Sequence, residues 1–94
     1  MLFSEQIKAA RALLGWRQEA LAERAGVGLA TLKRLEGKKG LVRGNSQSVW
    51  KIQTALEAGG VTFIADDRVA GPGVRLSEPR GRGAVAASGR LRRE

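Results

Sequence analysis

Glycines divide the first 60 residues of this chain into short segments, and this spacing limits the fold more than any other feature. The glycines that end these segments stand at positions 15, 26, 37 and 59–60. The residues between them are mostly Ala, Leu, Glu, Lys, Arg and Gln, which are good helix formers, and a glycine commonly ends a helix in the left-handed conformation. We therefore predict a set of short helices rather than a sheet.

The apolar residues within these segments repeat with the period of an α-helix. In the first segment Ser4 is a suitable N-cap, and Ile7, Ala10 and Leu14 fall on one narrow face. Residues 37–44, with three glycines and three cations, form a predicted loop. We predict helices over about residues 4–14, 18–25, 29–36 and 46–58, the last of them capped by Asn45.

The composition changes after Gly60. Residues 61–65 are β-branched and aromatic, residues 66–73 are typical of a loop, and residues 74–76 alternate as a second strand does. Because two strands are marginally stable alone, we expect this hairpin to lie on the helices or to pair with a second copy. We divide the chain into a helical domain (1–60), a β extension (61–78) and a low-complexity tail (79–94) that is predicted to be disordered.

The charge of the chain points to a polyanionic partner. The formal net charge is +8, and the last 16 residues contribute half of it through five Arg and one Glu. A moderately basic body with a strongly basic tail favours nucleic acid as the partner, although small proteins also use net charge for solubility.

Missing residue types exclude several classes of protein. The chain has no Cys and no His, which excludes Ser-His-Asp and Cys-His nucleophiles, the usual structural zinc sites and disulfides. We therefore expect no enzyme, no metal and no cofactor. The longest apolar run near the start, residues 12–16, is far too short to span a membrane, so we expect a cytoplasmic protein.

The most informative stretch is residues 18–37, which pairs two short helices across a glycine-containing turn. Ala22 is small enough to let the helices cross closely, Gly26 supplies a left-handed turn, and Val27 fills the space between them. This arrangement predicts a helix-turn-helix.

The second helix of this pair separates into two sides. At 100° per residue, Leu32, Leu35 and Thr31 fall on the buried side. Cations donate hydrogen bonds to guanine, and small or apolar side chains meet the thymine methyl group, so the opposite side suits a DNA major groove. That outward side comprises Leu29, Ala30, Lys33 and Arg34.

Two opposite charges lie where they can join the first and third helices. Arg11 is at the edge of the first apolar face, and Glu36 lies beside Leu32. They form a predicted ion pair, with two unrelated surface charges as the alternative.

These residues resemble the Cro/C1-type (XRE) helix-turn-helix family of regulators. The resemblance covers about residues 4–60 and rests on Gln18, Leu21-Ala22, Gly26 and Leu35-Glu36-Gly37. It implies a mainly α, lambda repressor-like fold of four to five helices, here with a short C-terminal β-hairpin. It also implies that Gln18 contacts a phosphate and braces the recognition helix, and that Arg11 and Glu36 form the structural ion pair.

The chain departs from the family pattern at the starts of two helices. Gly28 and Arg17 stand where the family usually has Ser or Thr, and Leu29 and Ala30 cannot make bidentate hydrogen bonds to bases. We therefore assign most of the base recognition to the two cations of the third helix. The full set of candidate DNA contacts is Arg17, Gln18, Gly28, Leu29, Ala30, Thr31, Lys33, Arg34, Lys38, Lys39 and Arg43.

The large apolar residues indicate how a dimer would form. Trp16 is predicted to lie in the core, and Trp50 either in the core or at an interface. Phe63 and Ile64 point to opposite faces of their strand, so one of them needs a cover that a second subunit would provide. The candidate dimerisation residues are Trp50, Phe63, Ile64, Val74 and Leu76.

We interpret the chain as a transcriptional regulator, a repressor or activator that binds double-stranded DNA as a homodimer. RNA polymerase or a regulatory protein are further expected partners, with no membrane and no small-molecule ligand. An antitoxin-like protein-interaction module and an RNA-binding protein are the alternatives.

Overall fold

The computed structural model describes residues 2–42 and 46–79, which form four helices and a two-stranded antiparallel sheet. Arg43, the predicted cap Asn45 and the predicted disordered tail from residue 80 onward lie outside these described residues. The mainly helical fold with a terminal hairpin is confirmed. In chain order the elements are α1 (Ser4–Leu14), α2 (Gln18–Ala25), α3 (Leu29–Glu36), α4 (Ser46–Gly59), β1 (Val61–Ile64) and β2 (Gly73–Leu76).

Helix α1 spans the predicted residues, but its N-cap lies one residue earlier than predicted. Phe3, not Ser4, is the N-cap, and Ser4 is the buried first residue of the helix. Phe3 has an extended backbone because it forms an isolated β-bridge with Leu41, and its N–H donates to Oε1 of Gln6 at 2.9 Å. The side chain of Gln6 therefore does the capping that was assigned to Ser4.

Helices α2 and α3 have the predicted bounds. Gly15 and Gly26 end α1 and α2 with φ angles of 69° and 71°, values at which a side chain with a Cβ would be strained. Gly37 ends α3 in the right-handed region instead, and its N–H donates to the carbonyl of Arg34 at 3.2 Å.

The core lies between the four helices. All four contribute to its fully buried centre, and Val61 of β1 closes one side of it. Ile7 and Ala10 of the face predicted for α1 are buried, as are Leu32 and Leu35 of the side predicted for α3. Leu14, the last residue of α1, is half-buried. The largest side chains with no exposed area are Ile7, Leu21, Leu32, Ile52 and Leu56.

The hairpin packs on α1 and α4 with one of its two faces. Val61 pairs with Leu76 and Phe63 pairs with Val74, and these four side chains are buried or half-buried against the helices. The alternate residues of both strands, including Ile64, point to the other face. The predicted docking of the hairpin on the helices is confirmed.

The two tryptophans differ in burial. Trp16 is half-buried, packs against the core and has the guanidinium of Arg24 at 4.4 Å from its ring centroid. Trp50 is 66% exposed, so of its two predicted positions, the core or an interface, the one in the core is wrong. The reason is its place on α4, about 140° in projection from the centre of the buried face of Ile52 and Leu56.

Candidate nucleic-acid interface

The connection between α2 and α3 is short and internally bonded. The N–H of Val27 donates to the carbonyl of Ala22 at 3.0 Å, and the N–H of Gly26 donates to that of Glu23 at 3.2 Å. Val27 itself is half-buried against the core. These bonds satisfy carbonyls at the end of α2 and fix the angle at which α3 leaves the turn.

A buried carboxylate joins the first three helices. Arg11 donates from Nε to Oε2 of Glu36 and from Nη2 to Oε1, both at 2.8 Å, and Gln18 donates from Nε2 to the same Oε1 at 3.0 Å. The side chain of Glu36 is 3% exposed and that of Arg11 is 19% exposed. The predicted ion pair is confirmed, and Gln18 braces the recognition helix as the resemblance implied.

Arg11 also ties this network to the turn before α2. Its Nη1 donates to the carbonyl of Trp16 at 3.1 Å. A bidentate guanidinium–carboxylate pair is geometrically specific, so this network fixes both the position and the rotation of α3.

The side of α3 opposite the network presents its cations to solvent. Lys33 and Arg34 are both exposed, as is Ala30, whereas Leu32, Leu35 and Glu36 are buried. Neighbouring exposed cations on a rigid helix can donate to base edges and phosphates.

Two candidate contacts of α3 are less accessible than the other candidates. Leu29 was predicted on the outward side, but it is half-buried and packs against the core, because neighbouring elements cover a position that a single helix projection leaves open. Thr31 is also half-buried, in agreement with its predicted position on the inward side.

The N-terminal ends of α2 and α3 lack capping side chains. Arg17 and Gly28 are the two N-caps, both extended and both exposed, and neither makes a side-chain cap hydrogen bond. The first N–H groups of each helix therefore receive no hydrogen bond from the side chain of the N-cap residue. Gln18 is half-buried beside Arg17.

The loop after α3 adds two cations to this surface. Lys38 and Lys39 are exposed, and they line one concavity of about 390 Å³ together with Arg34, Leu35 and Leu41. Arg43, the remaining candidate in this loop, lies outside the described residues.

The candidate dimerisation residues do not form one exposed patch. Phe63, Val74 and Leu76 pack against the core of their own chain, which accounts for their apolar character. Trp50 and Ile64 are the exposed members of the set, at 66% and 43%.

Sequence reasoning missed Glu5 and Gln6, which connect α1 to other parts of the fold. Gln6 is 4% exposed, and its Nε2 donates to the carbonyls of Ile64 and Gly73 at 3.2 and 2.9 Å. Oε1 of Glu5 accepts the N–H of Gly40 at 3.1 Å. The N–H groups of Glu5 itself and of Gly40 hold the pKa of the Glu5 carboxyl below its ordinary value.

Within the described residues, 2–42 and 46–79, no group of three or more His, Cys, Asp or Glu side chains could hold a metal ion. Among the helices of that same part of the chain, none combines the length and the apolar character needed to cross a membrane.

Comparison with known proteins agrees with this geometry. Residues 7–39, about a third of the chain, match the family model described as helix-turn-helix. The matched stretch contains the three residues of the buried network and both exposed cations of α3. The comparison with curated proteins finds no match. Residues 7–39 thus carry a DNA-binding helix-turn-helix domain.

Proposed function

We propose that this protein is a sequence-specific transcriptional regulator that binds an operator as a homodimer and catalyses no reaction. One observation carries the proposal: Lys33 and Arg34 are exposed side by side on α3, while Glu36 on the same helix is held by Arg11 and Gln18. A helix fixed in rotation presents the same side chains to every duplex, and this is a requirement for reading bases.

The exposed cations divide into two roles. Arg34 and Lys33 donate to guanine O6 and N7 in the major groove, and Ala30 lies against the same base edges. Arg17 and Lys38 contact phosphates, which position the helix without reading sequence. Most of the affinity then depends on salt, and most of the specificity depends on α3.

Regulation follows from where the protein binds. Two copies place their recognition helices in successive major grooves, about 34–36 Å apart, on a near-palindromic operator. A dimer bound near a promoter in the cytoplasm blocks or recruits RNA polymerase. The response is set by the concentration of the regulator or by a partner protein.

The decisive experiment is selection of bound duplexes from random DNA at near-physiological salt. We expect the wild type to enrich an inverted repeat, and Arg34→Ala and Lys33→Ala to lose preference at defined positions, at a cost of about 1–3 kcal/mol per contact. Arg75→Ala is the matched control, since Arg75 is an exposed cation on the hairpin. Enrichment of no sequence, with binding that only falls as salt rises, would contradict sequence-specific regulation.

The oligomeric state needs its own measurement. We expect sedimentation to show a dimer, and Trp50→Ala or Ile64→Ser to weaken it, because these are exposed large apolar side chains. Val69→Ser is the control, since Val69 is 94% exposed in the loop between the strands. A wild-type monomer at all concentrations would contradict the homodimer.

Exposure of Trp50 also favours a second candidate, an antitoxin-like module that binds another protein as well as DNA. The candidates differ in stoichiometry. A regulator dimerises alone, whereas the module stays monomeric until its partner is added.

A further inference from the structure

The loop after the recognition helix is fastened to the beginning of α1. The N–H of Ser4 donates to the carbonyl of Gly40 at 2.9 Å, and the N–H of Gly40 donates to Oε1 of Glu5 at 3.1 Å. Two residues after Gly40, the N–H of Val42 donates to the carbonyl of Leu2 at 2.8 Å. Both backbone groups of Gly40 are therefore bonded to the same end of one helix.

Gly40 is the point where the chain turns back towards α1. Its φ angle is +96°, which L-residues rarely adopt, and a Cβ added there would meet no atom within 4 Å. The glycine is thus required by backbone conformation and not by lack of space.

The fastened loop carries the two lysines that extend the basic surface. Lys38 and Lys39 precede Gly40 directly and share a concavity with Arg34 of α3. The distance of these two lysines from the recognition helix depends on where Gly40 is held, because Lys39 adjoins Gly40 and Lys38 is only one residue further away.

We propose that Glu5 is a positioning residue for DNA binding: by accepting the N–H of Gly40, its carboxylate holds Lys38 and Lys39 beside Arg34, where they contact phosphates. The inference rests on the proposed function, since it requires that this surface meets DNA. A loop ordered before binding loses less conformational entropy when the duplex arrives, so the bond strengthens binding without touching the DNA.

Simple electrostatics predicts the opposite effect. A carboxylate near a DNA-binding surface repels phosphates, so removing its charge should strengthen binding. Glu5→Ala removes both the charge and the acceptor oxygen, whereas Glu5→Gln removes the charge and keeps an acceptor oxygen. The pair of variants therefore separates the two effects.

The test measures affinity for a mixed-sequence duplex of about 20 base pairs, long enough for two half-sites, over a range of salt concentrations. We expect Glu5→Ala to bind roughly three- to ten-fold more weakly, the effect of one hydrogen bond, and to lose about one unit of salt slope per detached lysine. Glu5→Gln should bind at least as tightly as the wild type. A purely structural role would change the unfolding midpoint but leave the salt slope unaltered.

Two controls make the result specific. Glu23→Ala and Glu23→Gln, at an exposed carboxylate on α2, should both match or exceed wild-type affinity. In a Lys38→Ala/Lys39→Ala background, Glu5→Ala should not reduce the affinity for the duplex any further. If Glu5→Ala does not fold, Gly40→Ala tests the same loop through backbone strain and should show the same loss.

The inference would be overturned if both Glu5 variants bound the duplex as tightly as the wild type or more tightly. It would also be overturned if Glu5→Ala lost as much affinity in the Lys38→Ala/Lys39→Ala background as in the wild type. Either result leaves the proposed function standing, because base recognition by Arg34 is tested separately. A wild type that binds no duplex would overturn the proposed function and this inference together.

Discussion

Helix α1 holds the helix-turn-helix on one side and the C-terminal hairpin on the other, but with different chemistry. Arg11 makes two charged hydrogen bonds of 2.8 Å to Glu36, whereas Gln6 makes neutral ones of 2.9 and 3.2 Å to the hairpin carbonyls. Charge-assisted, bidentate bonds are stronger and more directional than neutral ones. The surface that is proposed to meet bases is therefore fixed more firmly than the hairpin, which covers the core.

The largest effect is expected from breaking the charged contact. Arg11→Met keeps much of the side-chain length but leaves the carboxylate of Glu36 buried without its cation. We expect the free energy of unfolding to fall by about 3 kcal/mol, measured by urea denaturation.

The matched control is Arg75→Met, at an exposed cation of β2, which should change stability by no more than about 0.5 kcal/mol. The double variant Arg11→Met/Glu36→Leu should recover most of the loss, since no charge is left buried. A single Arg11 variant as stable as the control would show that the network contributes nothing.

The neutral contact should have a smaller and more local effect. Gln6→Leu keeps the volume but removes the two donors to the hairpin and the acceptor for Phe3. We expect a loss of about 2 kcal/mol, with hydrogen exchange accelerated in the hairpin more than in α3. Gln53→Leu, on α4, is the control.

DNA affinity sharpens this second prediction. If the hairpin and the recognition helix are held independently, Gln6→Leu should leave the affinity for the duplex within about twofold of the wild type. A twofold change corresponds to about 0.4 kcal/mol of binding free energy. Equal loss of protection in α3 and the hairpin would show that the two regions are one cooperative unit.

A third prediction concerns the place where α4 meets the turn before α2. A Cβ at Gly59 would lie 2.5 and 2.7 Å from ring atoms of Trp16, so the rigid ring must move. Although Gly→Ala usually stabilises a helix, Gly59→Ala should destabilise the protein by about 1 kcal/mol or more.

The emission of Trp16 should change as well, measured in a Trp50→Phe background in which it is the remaining tryptophan. Gly71→Ala is the control, because a Cβ there meets no atom within 4 Å. Unchanged stability and emission in Gly59→Ala would contradict the close contact.

The smallest effect is expected in the loop of the hairpin. The N–H groups of Ala70 and Val69 donate to Oδ1 of Asp67, both at 2.8 Å, and hold the pKa of this carboxyl below its ordinary value of 3.8. Because the folded pKa is the lower one, the stabilisation is complete above the unfolded pKa and is lost as pH falls through the folded pKa.

Asp67→Asn keeps an acceptor oxygen but does not titrate. The fall in melting temperature between about pH 5 and about pH 3 should therefore be slightly smaller than in the wild type. Asp66→Asn, whose side chain takes no part in these two bonds, should retain the wild-type fall. Identical pH profiles for all three proteins would contradict the prediction.

Local signals in the sequence were sufficient for the helix-turn-helix. Gly15 and Gly26 end their helices where the left-handed conformation is needed. The spacing of Arg11 and Glu36 about the apolar faces allowed an ion pair or two unrelated surface charges, and the structure has the ion pair. Periodicity and glycine position act over a few residues, so a single sequence contains them.

Contacts between distant residues were not predictable in this way. Gln6 is an ordinary helix former, and nothing near it indicates carbonyl partners 58 and 67 residues away. The start of α1 depends on a bridge from Phe3 to Leu41, and the half-buried state of Leu29 depends on neighbouring elements. Such positions follow from how the elements meet, which the pattern of one helix does not contain.

The shared acceptor Glu36 has a consequence for how this protein can change over evolutionary time. Arg11 and Gln18 both donate to its carboxylate, so a substitution at one of the three positions breaks bonds of the others. Such a substitution is therefore not neutral unless the other positions change too. Lys33 and Arg34 are exposed and take no part in this network. Under the proposed function, descendants of this chain can therefore acquire new operators by exchanging the exposed residues of α3 while the network beneath them is inherited unchanged.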